Sequence, residues 1–158
     1  MVEKVLLTVK GEAQLRERLK HLKKVERPRN IQEIEVARAH GDLSENAEYH
    51  AAKEKQGMLD AQIRDVEAKL GTAQIIDPSK FSGNRVLFGS RVLLNDLDTD
   101  EEITYQIVGV DEADPKEGRI SYTSPLGRAL TGKLVDDFVD VKTPGGMREF
   151  EILDVQFK

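Results

Sequence analysis

The sequence contains no cysteine and no tryptophan, and only three histidines, His21, His40 and His50. Without cysteine there are neither disulfides nor thiolate zinc centres, and the composition fits a reducing cytoplasm. Three histidines are too few to lead us to expect a His-based metal centre. Long apolar runs are missing as well. None approaches the roughly 20 residues that span a bilayer, so no membrane partner is expected. The opening MVEKVLLTVKGEAQLRER turns charged at once, without the continuous apolar core and small-residue cleavage site of a signal peptide. Aromatic residues are scarce, five Phe and three Tyr, which argues against a pocket with aromatic walls.

What remains is charge and periodicity. The 158 residues are 34% charged with a net of −5, and the imbalance is local. Residues 1–78 hold 14 Lys/Arg and 14 Asp/Glu, whereas residues 79–158 hold 10 and 15. Within the first half, Arg16 to Arg29 carries seven basic residues against Glu17 and Glu26. Such a stripe on an acidic protein allows a local phosphate contact without attraction of the whole molecule to nucleic acid, and a solvated helix face accounts for most of it.

From about Gly11 to Leu70 the pattern is helical. Leu15, Leu19 and Leu22 step by 4 and 3, and Leu59, Ile63, Val66 and Leu70 step by 4, 3 and 4. Both are heptad-type seams. A turn at Gly41-Asp42 pairs them antiparallel, with Leu15 facing Leu70, Leu19 facing Val66, Leu22 facing Ile63 and Ile34 meeting Ala51. Arms of about 30 residues at 1.5 Å each make a hairpin roughly 45 Å long. Pro28 predicts a kink or short break at Arg27, with helix resuming through Ile31, Ile34 and Ala37. Near the turn Ala47, Ala51 and Ala52 replace leucines, so that end is expected to be slender.

Gly71 ends the helical pattern and Ile76-Asp77-Pro78-Ser79 reads as a linker, dividing the chain into 1–78 and 79–158. Beyond it, β-type stretches recur at Val86–Phe88, Arg91–Asn95, Ile103–Val110, Arg119–Tyr122, Val139–Lys142 and Arg148–Phe157, with a bulge near Leu153-Asp154. Ser124-Pro125 supplies an N-cap and first-turn proline for a short helix through Leu130. The fold class is α+β in two domains: an antiparallel coiled-coil hairpin, then an antiparallel sheet with one short helix.

The turn of the hairpin carries HGDLSENAEYH, with Asp42, Glu45 and Glu48 spaced three apart. Two readings stand side by side. As a cap, Asp42 accepts from the first N–H groups of the second helix and Glu45 completes a capping-box-like pair, worth about 1 kcal/mol. As a functional group, hard carboxylate oxygens suit Mg²⁺, which one or two acids rarely hold alone because the ion keeps waters and prefers phosphate co-ligands. A series of three acids at the end of a thin projection exceeds what capping needs. It fits a metal site that a partner and a phosphodiester complete. No nucleophile–base pair points to an autonomous active site.

The segment RAHGDLSENAEYHAAKEKQG, with SPLGRALTGK and the C-terminal KTPGG…EFEILDV, closely resembles the bacterial Gre transcript cleavage factors, most of all the GreA type, over essentially the whole chain. The resemblance implies an FKBP-like α+β C-terminal domain. It also implies a hairpin that enters the secondary channel of bacterial RNA polymerase when the enzyme has backtracked, and stimulates the polymerase's own cleavage of the extruded RNA 3′ end. By the same resemblance, Asp42 and Glu45 are the essential acidic pair, helping to bind the second catalytic Mg²⁺ and place the attacking water. The isolated chain needs no cofactor. Asn46 and Tyr49 belong to the tip motif, where an exposed helix residue and a seam filler are their plainer roles. Arg38 and Lys53 flank the tip as contacts to RNA phosphate or polymerase, and Ser124, Pro125 and Arg128 dock on the polymerase rim. The protein is expected to act as a monomer. The alternatives are a Gre-like channel-binding regulator that does not promote cleavage and an FKBP-like prolyl isomerase or chaperone.

Overall fold

The computed structural model describes residues 4–41 and 44–158. Its contacts divide the chain into two compact units, one formed by Glu12–Ala73 and the other by Lys4–Gly11 with Gln74–Lys158.

The first unit is the helical hairpin. One arm comprises α1 (Val9–His21), a π-helical turn (Leu22–Glu26) and α2 (Arg27–Arg38); the other is α3 (Ala47–Gly71). Leu22, Leu59, Ile63 and Val66 form its buried cluster, with Leu15, Leu19 and Leu70 packed against them. These are the two seams read from the heptad spacing, meeting as that spacing requires. Burying each such side chain contributes about 2 kcal/mol. Across the arms, Lys23 reaches Glu67 at 3.1 Å and Lys55 reaches Glu33 at 3.3 Å. Both pairs are half-exposed and add little.

The backbone at Pro28 differs from the expected kink or break. The arm stays helical, and the Arg27 N–H donates to the Leu22 carbonyl five residues back. Proline lacks an N–H, and its ring would collide with the carbonyl four residues earlier. The wider π-turn moves that carbonyl aside and leaves Pro28 in the first turn of α2, where its N–H is not needed. This extra residue shifts the seam. A heptad on from Leu22 is Arg29, yet the buried positions are Asn30 and Ala37, and Ile31 is 46% exposed. On α3 the buried Ala52, Leu59 and Val66 keep an unbroken seven-residue spacing. Asn30 is 1% exposed and donates through Nδ2 to the Ala52 carbonyl at 3.0 Å. The alanines leave this end thinly filled, with a cavity of about 560 Å³ lined by Val36, Ala37, Ala51 and Ala52 among others.

The second unit contains β1 (Val5–Thr8) paired with β2 (Ala73–Ile76), neither of which the periodicity revealed. Its main sheet comprises β3 (Arg91–Asp96), β4 (Glu101–Val108), β5 (Arg119–Ser121), β6 (Phe138–Thr143) and β7 (Gly146–Gln156), in the order β5-β4-β3-β7-β6. All pairings are antiparallel except β4 with β5, so the sheet is mixed rather than wholly antiparallel. Val86–Phe88 is not a strand; only a bridge between Arg85 and Leu134 lies beside it. The register slips between Leu93 and Leu94, where Asp154 and Ile152 are the partners, which places the bulge at Leu153. Val92, Leu94, Ile107 and Ile152 alternate into the core with no exposure. The short helix α4 (Pro125–Leu130) adds Leu130 to the same cluster.

Two buried carboxylates hold this unit's connections. Glu112 accepts from the Thr8 N–H at 2.9 Å and also pairs with the Thr8 hydroxyl, which in turn accepts from the Gly11 N–H at 3.0 Å. A Cβ at Gly11 would sit 2.1 Å from the Glu112 carboxyl carbon, so a side chain there would push the carboxylate off Thr8. Asp96, 1% exposed, ends β3, accepts from the Asp98 N–H at 2.9 Å and pairs with the Arg148 guanidinium. Burial pushes its carboxyl upward, but the Asp98 N–H and Arg148 outweigh that and hold it below the usual carboxylate range. A lowered folded value means that the stabilisation is present above the unfolded value of about 4 and is lost as pH falls through the folded one. Asp96→Asn is therefore expected to be less stable than the wild type at neutral pH, with the gap closing at acid pH. Urea midpoints followed from neutral pH downward check this, and a pH-independent gap would refute it.

Candidate functional site

The loop between α2 and α3 is shaped by backbone bonds on its leading side. Ala39 N–H donates to Glu35, His40 N–H to Ala37 and Gly41 N–H to Arg38. Gly41 has φ +111°, a conformation that favours glycine, and it is exposed. Asp42 lies outside the described residues. The chain is described again from Ser44, and α3 starts at Ala47.

The cap of α3 is not the one predicted. Asn46 is the N-cap residue, and its Oδ1 accepts from the Tyr49 N–H at 3.0 Å. Its Nδ2 donates to the Ala37 carbonyl at 2.6 Å, so one amide closes the start of α3 and the end of α2 together. Glu45 sits one residue before the helix cap, exposed, and makes no hydrogen bond or ion pair with any described residue. The capping-box role expected of it is therefore filled by another residue. The sequence signal was available, since Asn ranks with Asp and Ser as an N-cap.

Around this loop, Arg38 in the last turn of α2 is exposed, as is Lys53 on α3, whose ammonium donates to Gln56 at 2.9 Å. Tyr49 is half-buried, with the His50 ring edge-on at 5.7 Å and 66°. Glu48 faces His40 at 3.7 Å, and His50 Nε2 lies 3.3 Å from the Ser44 carbonyl. The spacing pattern revealed neither histidine contact. In the basic stripe, Arg16 pairs with Glu12 and Lys23 with Glu67. Arg18, Lys20, Lys24 and Arg29 have no ion pair among the described residues. No three His, Asp or Glu side chains among the described residues converge to form a metal site.

In the second unit Ser124 caps α4 as predicted. Its Oγ accepts from the Gly127 N–H at 3.0 Å and donates to the Ser121 carbonyl at 2.7 Å. Pro125 occupies the first turn and is exposed, as is Arg128, which has no ion pair among the described residues. Gly127 is buried; a Cβ there would lie 2.1 Å from the Ser121 oxygen.

Comparison with known proteins gives this geometry its context. Residues 5–75 match the model of the transcription elongation factor N-terminal domain of GreA and GreB, and residues 81–157 match the GreA/GreB C-terminal model. The chain belongs to the GreA/GreB family of transcription elongation factors. Transcription elongation factor GreA of Phenylobacterium zucineum is 56% identical over 156 residues, covering 99% of each chain. That of Haemophilus influenzae is 54% identical over 157 residues with the same coverage. Among solved structures, GreA factor homolog 1 of Thermus thermophilus is 28% identical, covering 98% of this chain and 99% of its own, with a TM-score of 0.44. Family membership rests on the sequence matches over the whole chain. Among the described residues, no helix of this family member is long and apolar enough to cross a membrane.

Asn46 makes the tip's cap testable. Asn46→Ala is expected to destabilise the hairpin by about 1 kcal/mol. Asn46→Asp, which keeps the acceptor for Tyr49 and loses the donor to Ala37, is expected to lose less. Urea unfolding monitored by helical circular dichroism would decide, and an unperturbed Asn46→Ala would dismiss the cap.

Proposed function

We propose that the protein inserts its hairpin into the secondary channel of bacterial RNA polymerase and stimulates the polymerase's own endonucleolytic cleavage of backtracked RNA. The observation that carries this reading is that Asn46 caps α3, while Glu45 is exposed and has no partner among the described residues. A carboxylate one residue before a helix cap, and not used by that helix, is free for a partner. Asp42 and Glu45 are its contribution, both hard oxygen donors suited to Mg²⁺ and together too few to hold the ion without further ligands. Those further ligands are the polymerase's and the RNA's, and the chain has no active site of its own.

When bound, the shared Mg²⁺ supplies Lewis-acid stabilisation of phosphodiester charge and a deprotonated water. The chain's residues bring the two carboxylates to that place. Arg38 and Lys53 carry exposed positive charge on either arm for RNA phosphate or polymerase. Asn46 and Tyr49 shape the start of α3 next to Glu45. Ser124, Pro125 and Arg128 dock on the polymerase, with Ser124 building the turn and Arg128 offering the unpaired cation. The working form is a monomer in the cytoplasm. Two of the cavities in the globular unit, of about 210 and 310 Å³, are lined without an aromatic ring, which does not favour the prolyl-isomerase alternative.

A stalled, backtracked complex with labelled RNA tests the proposal. The wild-type protein is expected to release short 3′ fragments in a Mg²⁺-dependent reaction, and to leave RNA untouched without polymerase. Asp42→Asn and Glu45→Gln are each expected to slow release by on the order of 100-fold while still binding polymerase. Wild-type cleavage by both variants would refute the carboxylate role. Binding of the wild type without any fragment release would indicate a regulator that occupies the channel only.

A further inference from the structure

The stretch HGDLSENAEYH opens and closes on a histidine, and the function proposed above gives neither one a role. We propose that His50 is a positioning residue for Glu45, an inference that rests on that functional reading. His50 Nε2 lies 3.3 Å from the Ser44 carbonyl oxygen. A carbonyl only accepts, so Nε2 carries the proton in this contact. The Ser44 carbonyl belongs to the peptide group that joins Ser44 to Glu45, and the bond therefore pins the plane entering Glu45. On the other side, Asn46 is fixed twice, to Tyr49 N–H and to the Ala37 carbonyl. Glu45 is thus a residue whose side chain has no partner among the described residues but whose backbone is held at both ends.

His50 is well placed to do the holding. Its backbone N–H donates to the Asn46 carbonyl at 3.1 Å, which roots it in the first turn of α3. The Tyr49 ring lies edge-on to the imidazole at 5.7 Å and limits its swing. His40 and Glu48 make a second tie between the two sides of the loop at 3.7 Å, but both are largely exposed and that pair holds weakly. An exposed acid that must complete a metal site inside a partner gains from a backbone fixed beforehand. Small misplacements of a reacting group lower rates steeply, about a hundredfold for an ångström.

Two substitutions separate the hydrogen bond from the ring. His50→Phe keeps an aromatic edge for Tyr49 and removes the N–H. His50→Gln places an amide N–H where Nε2 stood. At saturating factor, His50→Phe is expected to slow fragment release about tenfold with unchanged affinity for polymerase, and His50→Gln is expected to recover most of the rate. Wild-type rates for His50→Phe, equal losses in both variants, or a loss that tracks affinity would each overturn the assignment. Glu45→Gln in the same assay distinguishes the failures. If it cleaves normally, the functional reading and this inference fall together. If it is inactive while His50→Phe is fully active, only the His50 role falls.

Discussion

The packing of Leu22 against Leu59, Ile63 and Val66 fixes which residue of one arm faces which residue of the other, and the tip inherits that register. Leucine and isoleucine do this by volume, at about 2 kcal/mol per buried side chain. Towards the loop, where Ala37 and Ala52 replace them, volume no longer suffices. There the register is carried by side-chain amides that reach across the arms, Asn30 donating to the Ala52 carbonyl and Asn46 to the Ala37 carbonyl. Amides of this kind specify alignment more than they add stability. The hairpin thus changes its means of specification along its length, from shape to hydrogen bonding.

That change has an electrostatic corollary. A helix N-terminus attracts carboxylates, and an acid close to α3 would ordinarily serve it. Asn46 satisfies the helix with a neutral side chain, so the negative charge of Glu45 is not needed to neutralise the exposed N–H groups. In the second unit the opposite holds: Asp96 and Glu112 are buried and fully engaged with Arg148 and with Thr8, and they serve the fold.

Much of this was legible in the residues. The seams and their pairing follow from heptad spacing, because a 3.5-residue period leaves one orientation that buries every leucine. The bulge at Leu153 follows from the parity of Ile152 and Val155, which both point inward three residues apart. Other features were not legible, for physical reasons. The parallel pairing of β5 lies in a three-residue strand whose partner is set by the rest of the sheet. The α3 cap falls on Asn46 because the helix starts at Ala47, and helix boundaries within a few residues are not set by propensity alone. Pro28 was read as a kink because the chain has two ways to relieve a proline, and the sequence marks only the proline itself. Of the predicted tip residues, Glu45, Asn46 and Tyr49 follow one another closely at the start of α3, while Asp42 lies outside the described residues.

The π-turn before Pro28 has a consequence for how such hairpins change over time. In the language of insertions and deletions, it is a single added residue absorbed without a loop. The portion before Leu22 and the portion after Asn30 each keep a regular heptad, but they are out of step by one. A hairpin of this design without the proline would need one residue fewer between those points to present the same face to α3. Loss of Pro28 alone would tend to rewind the turn and rotate Asn30 and Ala37 away from their partners. Proline and π-turn therefore act as one unit, and the face that the arm presents to α3 beyond Asn30 depends on both.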